Sequence, residues 1–318
     1  MIEIRHLRHL LAIVEEGSIS AAASRLEMAQ PSLSQSLARM ETELGVHLLA
    51  RGPRGVLLTD AGRALARHAR TIVRSMEEAV AEVEGLGLDV RGHVSIGLPS
   101  SACGIMTVPL AETVRETLPH VSLRILEAMS GHIGAWIQDG STDLGLLYDV
   151  PAGGGLKVTP IATEDLFLVC APDDWPVTAD ERGIVPTSID FTDLAGQNIV
   201  LPSRIHSLRR FIGDFEQQTR TQLTVPLEID SQSQIKRLVA QASYRSILSQ
   251  AAVHEEAARG EIVLVPIRNP TLRRTIYLVR SLDALPTRAM LEVEKLMIDV
   301  TRELVQRNRW SALLLSQP

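Results

Sequence analysis

Leu7, Leu10, Leu11 and Val14 recur at steps of three and four, which predicts an amphipathic helix at the front of the chain. Gly17 ends it. Ser18 can cap a second helix whose inner face is Ile19, Ala22, Ala23 and Leu26, with alanines small enough to let a neighbouring helix approach. A third helix has Pro31 near its start, where a missing N–H costs least, Leu33, Leu37, Met40 and Leu44 on its inner face, and Gly45 as its stop. Two short extended arms, 46–50 and 56–58, flank a turn of Gly52, Pro53 and Gly55 with Arg51 and Arg54 at the tip. Thr59 then caps a long helix over about 60–85, with Asp60 at its positive end. Its stripe of Leu65, Ala69, Ile72, Met76, Val80 and Val83 is too apolar for a lone exposed helix, so a partner helix is implied.

Gly85, Gly87 and Gly92 mark a boundary, beyond which strands and helices alternate. Strands are expected at 94–98, 121–126, 144–147, 166–170, 199–201, 225–229, 247–248, 262–267 and 275–279. Helices are expected near 104–118, 131–139, 207–219, 231–242, 250–259 and 287–308. This alternation implies an α/β domain with a largely parallel, covered sheet.

The 318 residues suffice for about two domains, and 45% apolar with 22% charged residues is an ordinary globular mixture. Nowhere do about 20 apolar residues run together, so no membrane span is expected. The first residues lack the order of a secretory signal. Cys103 and Cys170 read as two small hydrophobes, which fits a reducing cytoplasm. The net charge of −6 argues against a nucleic-acid partner until its distribution is considered. Residues 1–75 hold ten arginines against seven acids, a surplus of three, which leaves −9 for the rest. A mildly basic front and an acidic back suggest modules with different partners.

The three short helices and the hairpin fit a winged helix-turn-helix. A recognition helix must present short polar side chains to base edges from its first turns. The third helix begins Gln30-Pro31-Ser32-Leu33-Ser34-Gln35-Ser36. Gln35 can donate and accept together, as the adenine edge requires, and Ser32, Ser34 and Ser36 let the backbone lie close. Arg39 can reach a phosphate, and Arg54 at the wing tip suits a narrow minor groove. The arginine run 63, 67, 70, 74 reads first as a solvated face, with phosphate contact as the alternative.

Residues 1–60 resemble the DNA-binding domain of LysR-type transcriptional regulators. The resemblance is carried by Ser18-Ile19-Ser20-Ala21-Ala22-Ala23 and Leu26, the 30–37 segment, Met40-Glu41-x-Glu43-Leu44-Gly45, Leu48-Leu49-x-Arg51 and Leu58-Thr59-x-Ala61-Gly62. It extends along the whole chain. It implies a winged helix-turn-helix domain (1–60), a linker and dimerisation helix (61–90) and a two-lobed periplasmic-binding-protein-like effector domain (91–318). Lobe I is expected at about 91–162 and 267–305, and lobe II at about 163–266. Leu49 stands where the family often has a bulky aromatic, and Tyr244 and Arg245 replace a glycine turn, which bears on pocket shape.

The resemblance implies that Gln30, Pro31, Ser34 and Gln35 face the major groove and that Arg54 serves the wing; with Ser20, Ser32, Arg39 and Arg51 these are the candidate DNA contacts. It implies pairing of the long helix through Leu65, Ile72, Met76 and Val80, with dimers assembling into a homotetramer. Small-molecule binding is implied in the interlobe cleft. Ser100 and Ser101 open a helix after a strand, a ready anion site. Met129 and Ser130 sit at the equivalent place after the next strand. Ser203 and Arg204 follow a strand in the second lobe, where Arg204 can clamp a carboxylate. The expected partners are promoter DNA, a second copy of the chain and, as candidates, a small-molecule effector and RNA polymerase, with no cofactor and no membrane. Catalytic motifs are missing: the Gly153-Gly154-Gly155 run lacks a following Lys, and His6, His9, His206 and His254 do not cluster at metal spacing. Two readings remain beside the effector-modulated regulator: an effector-independent regulator whose rear domain only assembles the oligomer, and a small-molecule-binding protein without DNA function.

Overall fold

In the computed structural model of the protein, residues 1–52, 55–85, 89–150, 154–242, 244–282 and 285–315 are described. The chain divides into two compact units, one built on Met1–Gly92 and the other on most of the remainder.

The first unit runs α1 (Ile4–Glu16), α2 (Ile19–Arg25), α3 (Gln30–Leu44), β1 (Leu49–Gly52), β2 (Gly55–Leu58) and α4 (Asp60–Gly85). Gly17 and Gly45 close α1 and α3 at φ of 63° and 68°, a left-handed conformation that glycine adopts without Cβ strain. The Ser18 hydroxyl accepts the Ala21 N–H at the start of α2. Leu10, Ile13, Ala22, Ala23, Leu33, Leu37 and Met40 form one buried cluster, so the alanines of α2 do admit α1 and α3 closely. Glu41 reaches from α3 to accept the amides of Leu48 and Leu49, at 2.7 and 3.3 Å, and so fixes where the hairpin begins. The hairpin is antiparallel, with Leu49 opposite Leu58 and Arg51 opposite Val56. The Thr59 hydroxyl donates to Leu48 O and accepts from the Gly62 amide, which starts α4 against the hairpin. A Cβ on Gly62 would overlap the Leu48 carbonyl oxygen, so this junction requires glycine.

The second unit runs β3 (Arg91–Pro99), α5 (Ser100–Thr117), β4 (His120–Ala128), α6 (Ser130–Gln138), β5 (Leu144–Leu147), β6 (Leu156–Cys170), β7 (Ile189–Asp190), β8 (Val200–Leu201), α7 (Ser207–Thr219), β9 (Leu227–Glu228), α8 (Gln232–Gln241), β10 (Ser246–Ser249), α9 (Gln250–Ala258), β11 (Val263–Arg268), β12 (Arg273–Ser281), α10 (Arg288–Gln306) and β13 (Ala312–Leu314). The main sheet is ordered β4-β3-β5-β12-β6-β11-β7, with β10 and β13 also paired to β6.

β6 is the strand that joins the two lobes. Its first part, up to Asp165, pairs with β12. Its last residues, Leu166–Cys170, pair with β10 and β11. All four partners of β6 run antiparallel to it, and β12 is antiparallel to β5. The largely parallel sheet expected from strand–helix alternation is therefore corrected to a mixed one. Parallel pairing survives between β3 and β5, β7 and β11, and β8 and β9. The cause is that β6 and β12 leave and re-enter the first lobe, and a return strand must run the opposite way.

Leu166, Leu168 and Cys170 pack on one face of the second lobe with Ile212 of α7, while Phe167 and Val169 pack on the other with Ile235 and Val239 of α8. Burial on both faces accounts for the unbroken apolar run 166–170. Among the described residues no helix is long and apolar enough to cross a membrane.

Candidate nucleic-acid interface and interlobe cavities

α3 buries Leu33, Leu37 and Met40 and leaves the opposite face outward, because helical spacing places positions 31, 35 and 39 away from the core. Gln30, Pro31, Ser32, Gln35 and Arg39 are exposed, as is Ser20 on α2, and Ser34 is half-buried. Gln30 Nε2 donates to Ser34 Oγ at 2.8 Å, so two of the expected base-contacting groups are ordered against each other. Arg51 lies on β1, but its side chain, like the whole of Arg54, lies outside the described residues.

The structure adds α1 to this surface. Arg5, His6 and His9 line an open groove together with Ser32, Gln35, Ser36 and Arg39. His9 Nδ1 sits 2.7 Å from Ser36 Oγ, tying α1 to α3. Burial, and then His6 and Arg5, hold the His9 ring below the usual histidine range. The sequence held a signal for this, Arg5, His6, Arg8 and His9 within the first nine residues, but spacing on one helix does not show which helix they face.

The predicted pairing stripe on α4 divides. Ala69 is buried with Leu7 and Val73, and Leu65 packs half-buried against the same cluster, so both serve the unit's own core. Ile72, Met76 and Val80 remain 46%, 46% and 42% exposed.

In the second unit, Ser100, Ser101 and Met129 meet around a cavity of about 40 Å³, together with Tyr148, His206, Ser249 and Arg274. Ser203 and Arg204 do not line it. Ser203 donates through its amide and its hydroxyl to Asp230, at 2.8 and 2.9 Å, and Arg204 is exposed. Of Ser130 only the backbone position, at the start of α6, is described. Arg245, at the unusual turn, pairs by its backbone with Asn198 and Val200, and Tyr244 packs against the second-lobe core.

A buried polar cluster joins the lobes behind this cavity. Arg274 Nε and Nη2 donate to Glu164 Oε1 at 2.8 and 2.6 Å, and Trp310 Nε1 donates to Glu164 Oε2 at 2.8 Å. The Tyr148 hydroxyl lies 2.7 Å from Ser101 Oγ. Burial first, and the Glu164 carboxylate second, raise the Tyr148 phenol well above its ordinary range, so it stays neutral. Sequence reasoning missed Glu164 and Arg274, because both lie just outside the expected strands 166–170 and 275–279, where a charged residue reads as solvated.

A second cavity of about 260 Å³ adjoins the first and is lined by Tyr148, Asp149, Leu208, Arg210, Phe211 and Arg274, among others. Arg210 Nη2 donates to Asp149 Oδ2 at 2.6 Å.

Residues 4–63 match the bacterial regulatory helix-turn-helix proteins of the lysR family, and residues 88–301 match the LysR substrate binding domain. The chain is 32% identical over 86% of its length to the nitrogen assimilation regulatory protein nac of Klebsiella aerogenes, covering 87% of that protein. It is 28% identical over 87% of its length to the DNA-binding transcriptional dual regulator OxyR of Escherichia coli K12, covering 88% of it. Full-length OxyR from Pseudomonas aeruginosa shares the fold with a TM-score of 0.73 at 20% identity, over 95% of both chains. Full-length CbnR, solved with its target DNA, shares it with a TM-score of 0.55 at 19% identity, over 94% of this chain and 99% of that one.

Proposed function

The chain belongs to the lysR family of bacterial regulatory helix-turn-helix proteins and is a DNA-binding transcriptional regulator, not an enzyme; from that premise we propose that it reads its sites with the outer face of α3, binds as a homotetramer built from dimers, and answers to a small molecule held between its lobes. The outward polar face of α3, with Gln35 at its centre, carries the reading. Phosphate contacts supply affinity and the α3 side chains supply selectivity. Pairing through the exposed residues of α4 gives a two-fold dimer, and hence a partly palindromic site. A ligand between the lobes shifts the assembly between two states only by its differential affinity for them.

Fluorescence anisotropy on fragments from a genomic selection tests this. Selective, salt-sensitive retention of one sequence class is expected, and failure to bind any duplex at low ionic strength contradicts it.

A second reading has an observation in its favour. The cavity where Ser100, Ser101 and Met129 meet has room for only a few waters. That suits a regulator whose rear domain acts without an effector and only assembles the oligomer. RNA polymerase remains a partner of either form.

A further inference from the structure

The larger cavity, not the small one, has the lining of a ligand site, and an ion pair between the lobes forms part of its wall. Asp149 follows β5 in the first lobe, and Arg210 lies on α7 in the second. The guanidinium is fixed in place: Nη1 donates to Ile205 O at 2.7 Å while Nη2 donates to Asp149 Oδ2 at 2.6 Å. A preformed carboxylate seat is therefore filled by the chain's own carboxylate. Arg274 lines the same space. Its Nε and Nη2 are taken by Glu164, Ser101 and Ser249, whereas Nη1 makes no hydrogen bond among the described residues. Leu208 and Phe211 supply an apolar wall. Asp214 also lines the cavity and opposes any second negative charge on an occupant.

We propose that this cavity takes an amphipathic monocarboxylate, whose carboxylate displaces Asp149 from Arg210, with Arg274 beneath it and its hydrocarbon part against Leu208 and Phe211. The inference rests on the reading that the two-lobed unit takes a small molecule. Asp149 is then a built-in competitor. While it holds Arg210 it ties the lobes together, and the incoming acid replaces one charge-assisted hydrogen bond with another while releasing the first lobe from α7. The ligand's differential affinity for the untied state is what couples occupancy to the assembly on DNA.

The test is isothermal titration calorimetry of the full-length protein with the straight-chain acids from butyrate to octanoate, and with hexanamide as the uncharged control. Asp149 and Arg210 are both about half exposed, so the variants Asp149→Asn and Arg210→Gln are expected to fold, which circular dichroism checks. The wild type should bind one or more of the acids and not the amide. Asp149→Asn should bind them about tenfold tighter or more, and Arg210→Gln about tenfold weaker or more, as the loss or gain of one charge-assisted contact requires. Acids that bind with equal affinity to all three proteins overturn the proposal, as does binding of none of them to any. A metabolite that binds, ignores both substitutions and is lost on Ser100→Leu overturns it too, while leaving the effector reading standing.

Discussion

The guanidinium carbon of Arg274 lies 3.4 Å from the centroid of the Tyr148 ring. That contact packs β12 onto the residue that follows β5, while the same guanidinium holds the buried Glu164 on β6. Glu164 is 1% exposed and Arg274 6%, so neither charge has water to fall back on.

Removing one partner should be far worse than removing both. Arg274→Met strands a buried carboxylate and is expected to cost about 3–5 kcal/mol in urea unfolding. The double variant Arg274→Met with Glu164→Gln should recover a large part of that loss. Equal losses in the single and double variants would show that the pair is not coupled.

Gly62 is the junction of wing and linker helix. Gly62→Ala places a methyl group onto the Leu48 carbonyl oxygen and should destabilise the protein by about 1–3 kcal/mol through forced displacement of α4. Gly196→Ala, with nothing within 4 Å of the added carbon, should leave the melting temperature nearly unchanged. Two similar melting temperatures would remove the close contact from the description.

Ile72, Met76 and Val80 stand exposed on α4 in the single chain. Ile72→Glu should shift the light-scattering mass from an oligomer towards the monomer. Leu65→Ala should instead lower stability, because Leu65 packs on the unit's own core. An unaltered mass for Ile72→Glu would place the pairing surface elsewhere.

Asp230 gives a pH dependence. The Ser203 amide first, opposed by burial and reinforced by the Ser203 hydroxyl and His206, holds this carboxyl below the usual carboxylate range. A carboxylate with a lowered pKa in the folded state contributes stability that is fully present above its unfolded value of about 3.9 and is lost as pH falls through the folded value. Asp230→Asn should flatten that part of the acid-unfolding curve below about pH 4 and leave the curve near neutrality parallel to wild type. Identical acid limbs would contradict the assignment.

The first unit was legible because its periodicity was clean. Leu7, Leu10 and Val14 place α1, Gly17 and Gly45 stop α1 and α3, and Pro31 marks the start of α3. The second unit was legible in its elements and less so in their direction. Leu166–Cys170 was found from its apolar run, but 156–165 was not. There Lys157, Pro160, Glu164 and Asp165 interrupt the pattern although the strand continues. β13 was missed because its short pairing to β6 depends on Trp310 and the preceding helix arriving beside it, which local sequence does not encode. The outward face of α3 followed from spacing alone. Ser100, Ser101 and Met129 of the smaller cavity were read from the strand ends, but the larger cavity was not, because Tyr148 and Asp149, Arg210 and Arg274 come from distant parts of the chain and meet only once β6 has joined the lobes.

The outer face of α3 as the reader of base sequence is tested most directly by one titration series. Anisotropy is recorded for wild type and Gln35→Ala on a selected duplex and on its scrambled counterpart, across a range of salt concentrations. Gln35→Ala should weaken binding to the selected duplex by about 1–3 kcal/mol, roughly 5- to 150-fold, while affinity for scrambled DNA and the salt slope stay as in wild type. An equal loss on both duplexes, or no loss on either, would contradict it.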